Sequence, residues 1–64
     1  MNQHLERAIL LAQQSRFDLA ENELRQALVL EPENAHAHAL LATCLAEREK
    51  FDEATAEATQ AIHL

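Results

Sequence analysis

Four histidines, one cysteine and eleven carboxylates are the side chains of this 64-residue chain that could hold a metal, attack a substrate or carry a proton. His36 and His38 lie two apart, which on a helix points them ~200° apart and prevents joint chelation of one ion. His4 and His38 are separated by 34 positions and could meet only if the fold brings them side by side. No Cys, Asp or Glu flanks them at ligand spacing, so no metal is expected. Interhelix packing with exposed ring tips is the plainer role for both, and His63, near the end of the last helical stretch, complements the helix dipole. Cys44 stands alone among apolar neighbours and has no His-and-acid partner pattern, which describes a buried thiol and not a nucleophile. Ser15 lacks a catalytic motif, and without a single glycine there is no phosphate-cradling loop. The residues therefore describe a chain that is not an enzyme and needs no cofactor.

What positions these side chains is helix throughout. Glycine is absent and Pro32 is the only proline, while Ala, Leu, Glu, Gln and Arg dominate. The sequence matches itself at an offset of 34 residues: His4 with His38, Ala8 with Ala42, Leu11 with Leu45, Ala12 with Ala46, Phe17 with Phe51 and Asp18 with Asp52. The match continues through Ala20 with Ala54, Glu23 with Glu57, Gln26 with Gln60, Ala27 with Ala61 and Leu30 with Leu64. Identity at a fixed period is the mark of stacked repeats.

Within each repeat the apolar positions recur at helical spacing, as in Leu5, Ala8, Ile9, Ala12 and again in Ala20, Leu24, Ala27, Leu28. The pattern predicts an all-α chain of two antiparallel helix-turn-helix hairpins: repeat 1–34 with helices near 2–14 and 18–30, and repeat 35–64 with helices near 35–48 and 52–63. Asp18 and Asp52 are expected to cap the second helices, with Glu21 completing a capping box in the first repeat. Asn34 is expected to cap the third helix after Pro32 has ended the second. Glu21, four before Arg25, otherwise belongs to a solvated acidic face, or to a surface for a basic partner.

These features resemble the tetratricopeptide repeat. Ala8, Ala20, Ala27 and Pro32 occupy that family's small-residue and proline slots. Leu11, Phe17, Leu24, Leu28 and Leu30 occupy large apolar ones, and Ala42, Leu45, Phe51, Ala54, Ala61, Ile62 and Leu64 recur in the second unit. The resemblance implies a short right-handed α-solenoid in which alanines let helices approach while Phe and Leu plug the gaps, with Ala20 and Ala54 at the tightest crossings. The first unit departs from the family: His4, Arg7 and Ser15 stand where a bulky aromatic, a leucine and a glycine are usual. Ser15 or Glu49 would then adopt a left-handed turn conformation. Arg7 suits a first unit with nothing stacked before it, and Leu41 restores the apolar choice in the second.

The resemblance also implies a function. First helices of successive units line a peptide-binding groove in this family, and the corresponding residues are Asn2, Leu5, Glu6, Ile9, Ala12 and Gln13, then His36, Ala39, Leu40, Thr43, Ala46 and Glu47. A subgroup that grips a terminal carboxylate places lysine and asparagines where this chain has Leu5, Ile9 and Leu40. Those apolar side chains suit an apolar or amphipathic helix instead, or else they pack against neighbouring helices.

The expected role is a protein-protein interaction scaffold, read as the N-terminal fragment of a larger protein. Alternatives are a self-assembling structural repeat, joined through an uncapped C-terminal face, and the non-catalytic N-terminal part of an enzyme. Two units fall short of the three that solenoids usually require, which favours a homo-oligomer. The net charge of −6 with scattered basic residues argues against nucleic acid and anionic membrane as partners. The first residues are too acid-flanked for a signal peptide, so a soluble, cytoplasmic protein is expected.

Overall fold

The computed structural model describes residues 2–64. Four helices follow one another: α1 (Gln3–Gln13), α2 (Phe17–Leu30), α3 (Ala35–Glu47) and α4 (Phe51–His63). No strand occurs among the described residues. α1 packs on α2 and α3 on α4 as two hairpins, and α2 packs on α3 to stack one hairpin on the other, with a lighter contact between α1 and α3. This is the all-α, short-solenoid arrangement that the 34-residue period predicts.

The ends of the helices explain their lengths. Asn2 caps α1, its side-chain oxygen accepting from the amides of His4 (3.1 Å) and Leu5 (3.3 Å). Asn34 caps α3 by accepting from Ala37 N (3.0 Å), as expected. α2 and α4 begin differently. Their N-cap residues are Arg16 and Lys50, neither with a capping side-chain bond, so Asp18 and Asp52 are not caps but lie inside the first turn.

The cause is the tightness of the preceding turn. Arg16 N donates to the Leu11 carbonyl (2.9 Å) and Ser15 N to that of Ala12 (3.0 Å). Lys50 and Glu49 repeat this on Leu45 (2.8 Å) and Ala46 (3.0 Å). Each is a Schellman closure whose last residue is already the N-cap of the next helix, leaving no room for a separate capping aspartate. The closure needs a left-handed residue, and Ser15 (φ 61°) and Glu49 (φ 62°) supply it.

The core is made of Ala8, Ala20, Leu24, Ala37, Leu41, Cys44, Leu45 and Ala54, flanked by half-buried Leu5, Leu11, Ala12, Phe17, Leu28 and Leu40. Half of the buried cluster is alanine, so helix backbones come close and a few leucines fill the remaining space. Ala20 and Ala54 are both buried, as the small-residue slots require. The large apolar slots behave unequally. Phe17 and Leu28 are half-buried against the core, whereas their equivalents Phe51 and Ile62 are 62% and 81% exposed. Leu30 and Leu64, expected to plug gaps, are exposed too. Only the first hairpin has a helix lying over its outer flank.

Candidate functional site

The residues of the expected groove divide by environment. On α1, Leu5 and Ala12 are half-buried against the core and Ile9 is half-buried, while Glu6 and Gln13 are exposed. On α3, Leu40 is half-buried against the core, and His36, Ala39, Thr43, Ala46 and Glu47 are exposed. Thr43 Oγ1 donates back to the Ala39 carbonyl (3.2 Å). Asn2 is committed to structure: besides capping α1, its side-chain nitrogen donates to the Ala27 carbonyl (3.1 Å) and Glu31 Oε1 (2.7 Å), tying the start of α1 to the end of α2. The large apolar members of the set, Leu5 and Ile9 on α1 and Leu40 on α3, are half-buried, and each keeps part of its surface open.

Thr43 and Ala46 also line a shallow depression of about 370 Å³ on the outer flank of the second hairpin, together with Ala42, Phe51, Ala54, Thr55 and Ala58. Its walls are small side chains, with Phe51 as the one large group. It is the counterpart, 34 residues on, of the flank that α3 covers in the first hairpin.

Two polar features escaped the sequence reading. Glu21 is not on a solvated face and closes no capping box; it is buried at 7% exposure where the two hairpins meet. Its carboxylate accepts from Arg25 Nε (3.1 Å), Arg48 Nη1 (2.5 Å) and Lys50 Nζ (3.4 Å). Burial raises the carboxyl, but the bonds from Arg25, Lys50 and Arg48 outweigh it and hold it below the usual range. Arg25 also reaches Glu53 on α4 (3.6 Å). One acid thus gathers cations from both sides of the hairpin junction.

The second feature is a pair of His–Glu contacts. His4 Nδ1 lies 2.7 Å from Glu23 Oε2, and His38 Nδ1 lies 2.6 Å from Glu57 Oε2, so each first helix is joined to the second helix of its own hairpin. The histidines therefore have acidic neighbours after all, from another helix. His38 is buried at 7% exposure, with no exposed tip. The signal was present: both histidines and both glutamates are identical at the 34-residue offset, and each His precedes its Glu by 19 positions.

Cys44 is a buried free thiol. Burial pushes its pKa up, and the carboxylates of Glu21 and Glu47 act in the same direction, which suppresses the reactive thiolate. Among the described residues no group of three His, Cys, Asp or Glu stands together as a metal site. No helix among the described residues is long and apolar enough to cross a membrane.

The family model described as Tetratricopeptide repeat matches residues 5–63. Neither the curated proteins nor the solved structures contain a match to the chain.

Proposed function

The chain belongs to the tetratricopeptide repeat family, and from that premise we propose that it is a protein-binding scaffold whose α1 and α3 receive an apolar or amphipathic helix. The observation that carries this reading is the stripe of Leu5, Ile9 and Leu40, half-buried and flanked by the exposed Glu6, Gln13, His36, Thr43 and Glu47. A partner helix with apolar residues at i, i+3 and i+4 could cover the stripe, while its polar face meets the border. Lysine or arginine on that border would be favoured by the chain's net charge of −6. The remaining proposed contacts are Asn2, through its exposed edge, and Ala12, Ala39, Ala46 and Glu47.

The test is titration of the 15N-labelled chain with a lysine-rich amphipathic helical peptide. A peptide of the same composition with its apolar residues scrambled around the helix serves as comparison. Amide shifts clustered at Leu5, Ile9, Leu40 and Thr43 for the amphipathic peptide alone support the reading. Equal responses to both peptides, or shifts confined elsewhere, oppose it.

A second reading is self-association through the outer flank of α3 and α4. It is favoured by the contrast between Phe17 and Leu28, half-buried against the core, and Phe51 and Ile62, which are exposed. Sedimentation equilibrium separates the two readings: a monomer over a wide concentration range removes self-association and leaves the peptide groove untouched.

A further inference from the structure

The side chain of His38 faces two oxygens. Nδ1 lies 2.6 Å from Glu57 Oε2 on α4, and Nε2 lies 2.7 Å from the carbonyl of Pro32 in the loop between α2 and α3. A carbonyl can only accept, so Nε2 must carry a proton. An ionised carboxylate also only accepts, so Nδ1 must carry one as well. A neutral imidazole has a single N–H and satisfies one contact while turning a lone pair toward the other oxygen. We infer that His38 is held as an imidazolium and works as a pH-dependent latch, fastening the Glu31–Asn34 loop to the second hairpin while it is charged and releasing one of its two contacts when it loses a proton.

The surroundings support a single titrating pair. Among the described residues, Glu57 is the only charged side chain within ion-pair distance of His38. Of the charges of α2, Asp18 is exposed, and the others are directed elsewhere: Glu21 to Arg25, Arg48 and Lys50, Glu23 to His4 and Arg7, and Arg25 to Glu21 and Glu53. In the loop, Glu31 bonds Asn2 and Asn34 and Glu33 is exposed; on α3 itself His36 is exposed. Burial disfavours the charged ring, but the bonds to Glu57 and Pro32 and the charge of Glu57 prevail, and the His38 pKa is raised above 6.5.

The sign follows. A folded pKa above the unfolded one means that the contribution to stability is complete below about pH 6.5 and is lost as pH rises through the folded value. His4 provides an internal comparison. Its Nδ1 meets Glu23, and among the described residues its half-buried ring makes no hydrogen bond to a carbonyl as His38 does to Pro32.

The experiment is long-range 1H–15N correlation of the imidazole nitrogens in the full labelled chain across roughly pH 5 to 9, joined to denaturant unfolding over the same range. Both His38 nitrogens should keep the shifts of protonated nitrogens above pH 6.5, and deprotonation should move the amides of the 31–34 loop. The folding equilibrium constant should fall by up to about tenfold per pH unit through that window. His38→Phe, which keeps a ring in place and removes the titration, should abolish that dependence, whereas His4→Phe should retain it. An unprotonated Nδ1 at pH 6.5, either in a neutral ring or with the proton resident on Glu57, overturns the inference on the unaltered protein, whatever the variants do. An unchanged pH dependence in a folded His38→Phe overturns it independently.

Discussion

Two residues in this chain occupy a backbone region that glycine enters far more readily than they do. Ser15 and Glu49 sit at φ 61° and 62°, each closing a Schellman motif. A side chain in that conformation costs an L-residue ~1–2 kcal/mol. Glycine avoids the clash but gives the unfolded chain more freedom, which takes back ~0.4–1 kcal/mol. The net expectation for Ser15→Gly or Glu49→Gly is a gain of about 0.5–1 kcal/mol each. Among the described residues no hydrogen bond or ion pair joins the two turns, so the gains should add and the double variant should gain about 1–2 kcal/mol. For a chain of this size that is ~4–15 °C in melting temperature.

The assay is urea unfolding followed by helical circular dichroism, where a rise in midpoint at constant m reports stability alone. Ser15→Ala and Glu49→Ala are the controls: they retain the Cβ, and the second removes the same charge as Glu49→Gly. Alanine variants that gain as much as the glycine variants would refute the reasoning, because the benefit would then owe nothing to the left-handed backbone. Glycine variants no more stable than the parent would refute it as well.

Glu21→Ala should cost about 1–2 kcal/mol in the same titration, since it removes the acceptor that Arg25, Arg48 and Lys50 share. Because the Glu21 carboxyl is held below 4.5, its contribution is present above that pH and lost as pH falls through the folded value. Glu21→Gln should therefore flatten the acid side of the stability profile. Ala20→Leu, at a fully buried helix crossing, should lower the melting temperature through overpacking worth ~1–3 kcal/mol; an unchanged value would mean that the crossing can open without penalty. Cys44 should resist a thiol reagent until the chain unfolds, with labelling that tracks the unfolded fraction in urea; fast labelling without denaturant would contradict its burial.

What the sequence made legible is what repeats locally. The 34-residue period, the alanines at 8, 20, 27 and 54 and Pro32 are each readable along the chain, and they suffice for four helices in two stacked hairpins. The Asp18 and Asp52 caps failed because a capping preference is a statement about one residue, while the start of α2 and α4 is decided by the closure of the helix before. Glu21 failed for a longer-range reason. An acid four before an arginine has the same local pattern on a solvated face as at a hairpin junction, and its other two cations, Arg48 and Lys50, come from the turn between α3 and α4. The His–Glu pairs lie between these cases: the 34-residue offset displays all four residues, but only an antiparallel hairpin brings positions 19 apart into contact.

The candidate site poses a problem of another kind. Leu5, Ile9 and Leu40 carry the same chemistry whether they complete a core or await a partner, and burial in the folded chain is what separates the two. All three are half-buried, and Leu5 and Leu40 touch the core while part of each surface stays open. If a partner helix covers the stripe as proposed, the inner surface of each side chain is already held, so less side-chain entropy is lost when the outer one is covered. On the proposed reading this favours docking on the stripe over docking on Phe51 and Ile62, whose wider exposure leaves more freedom to be lost.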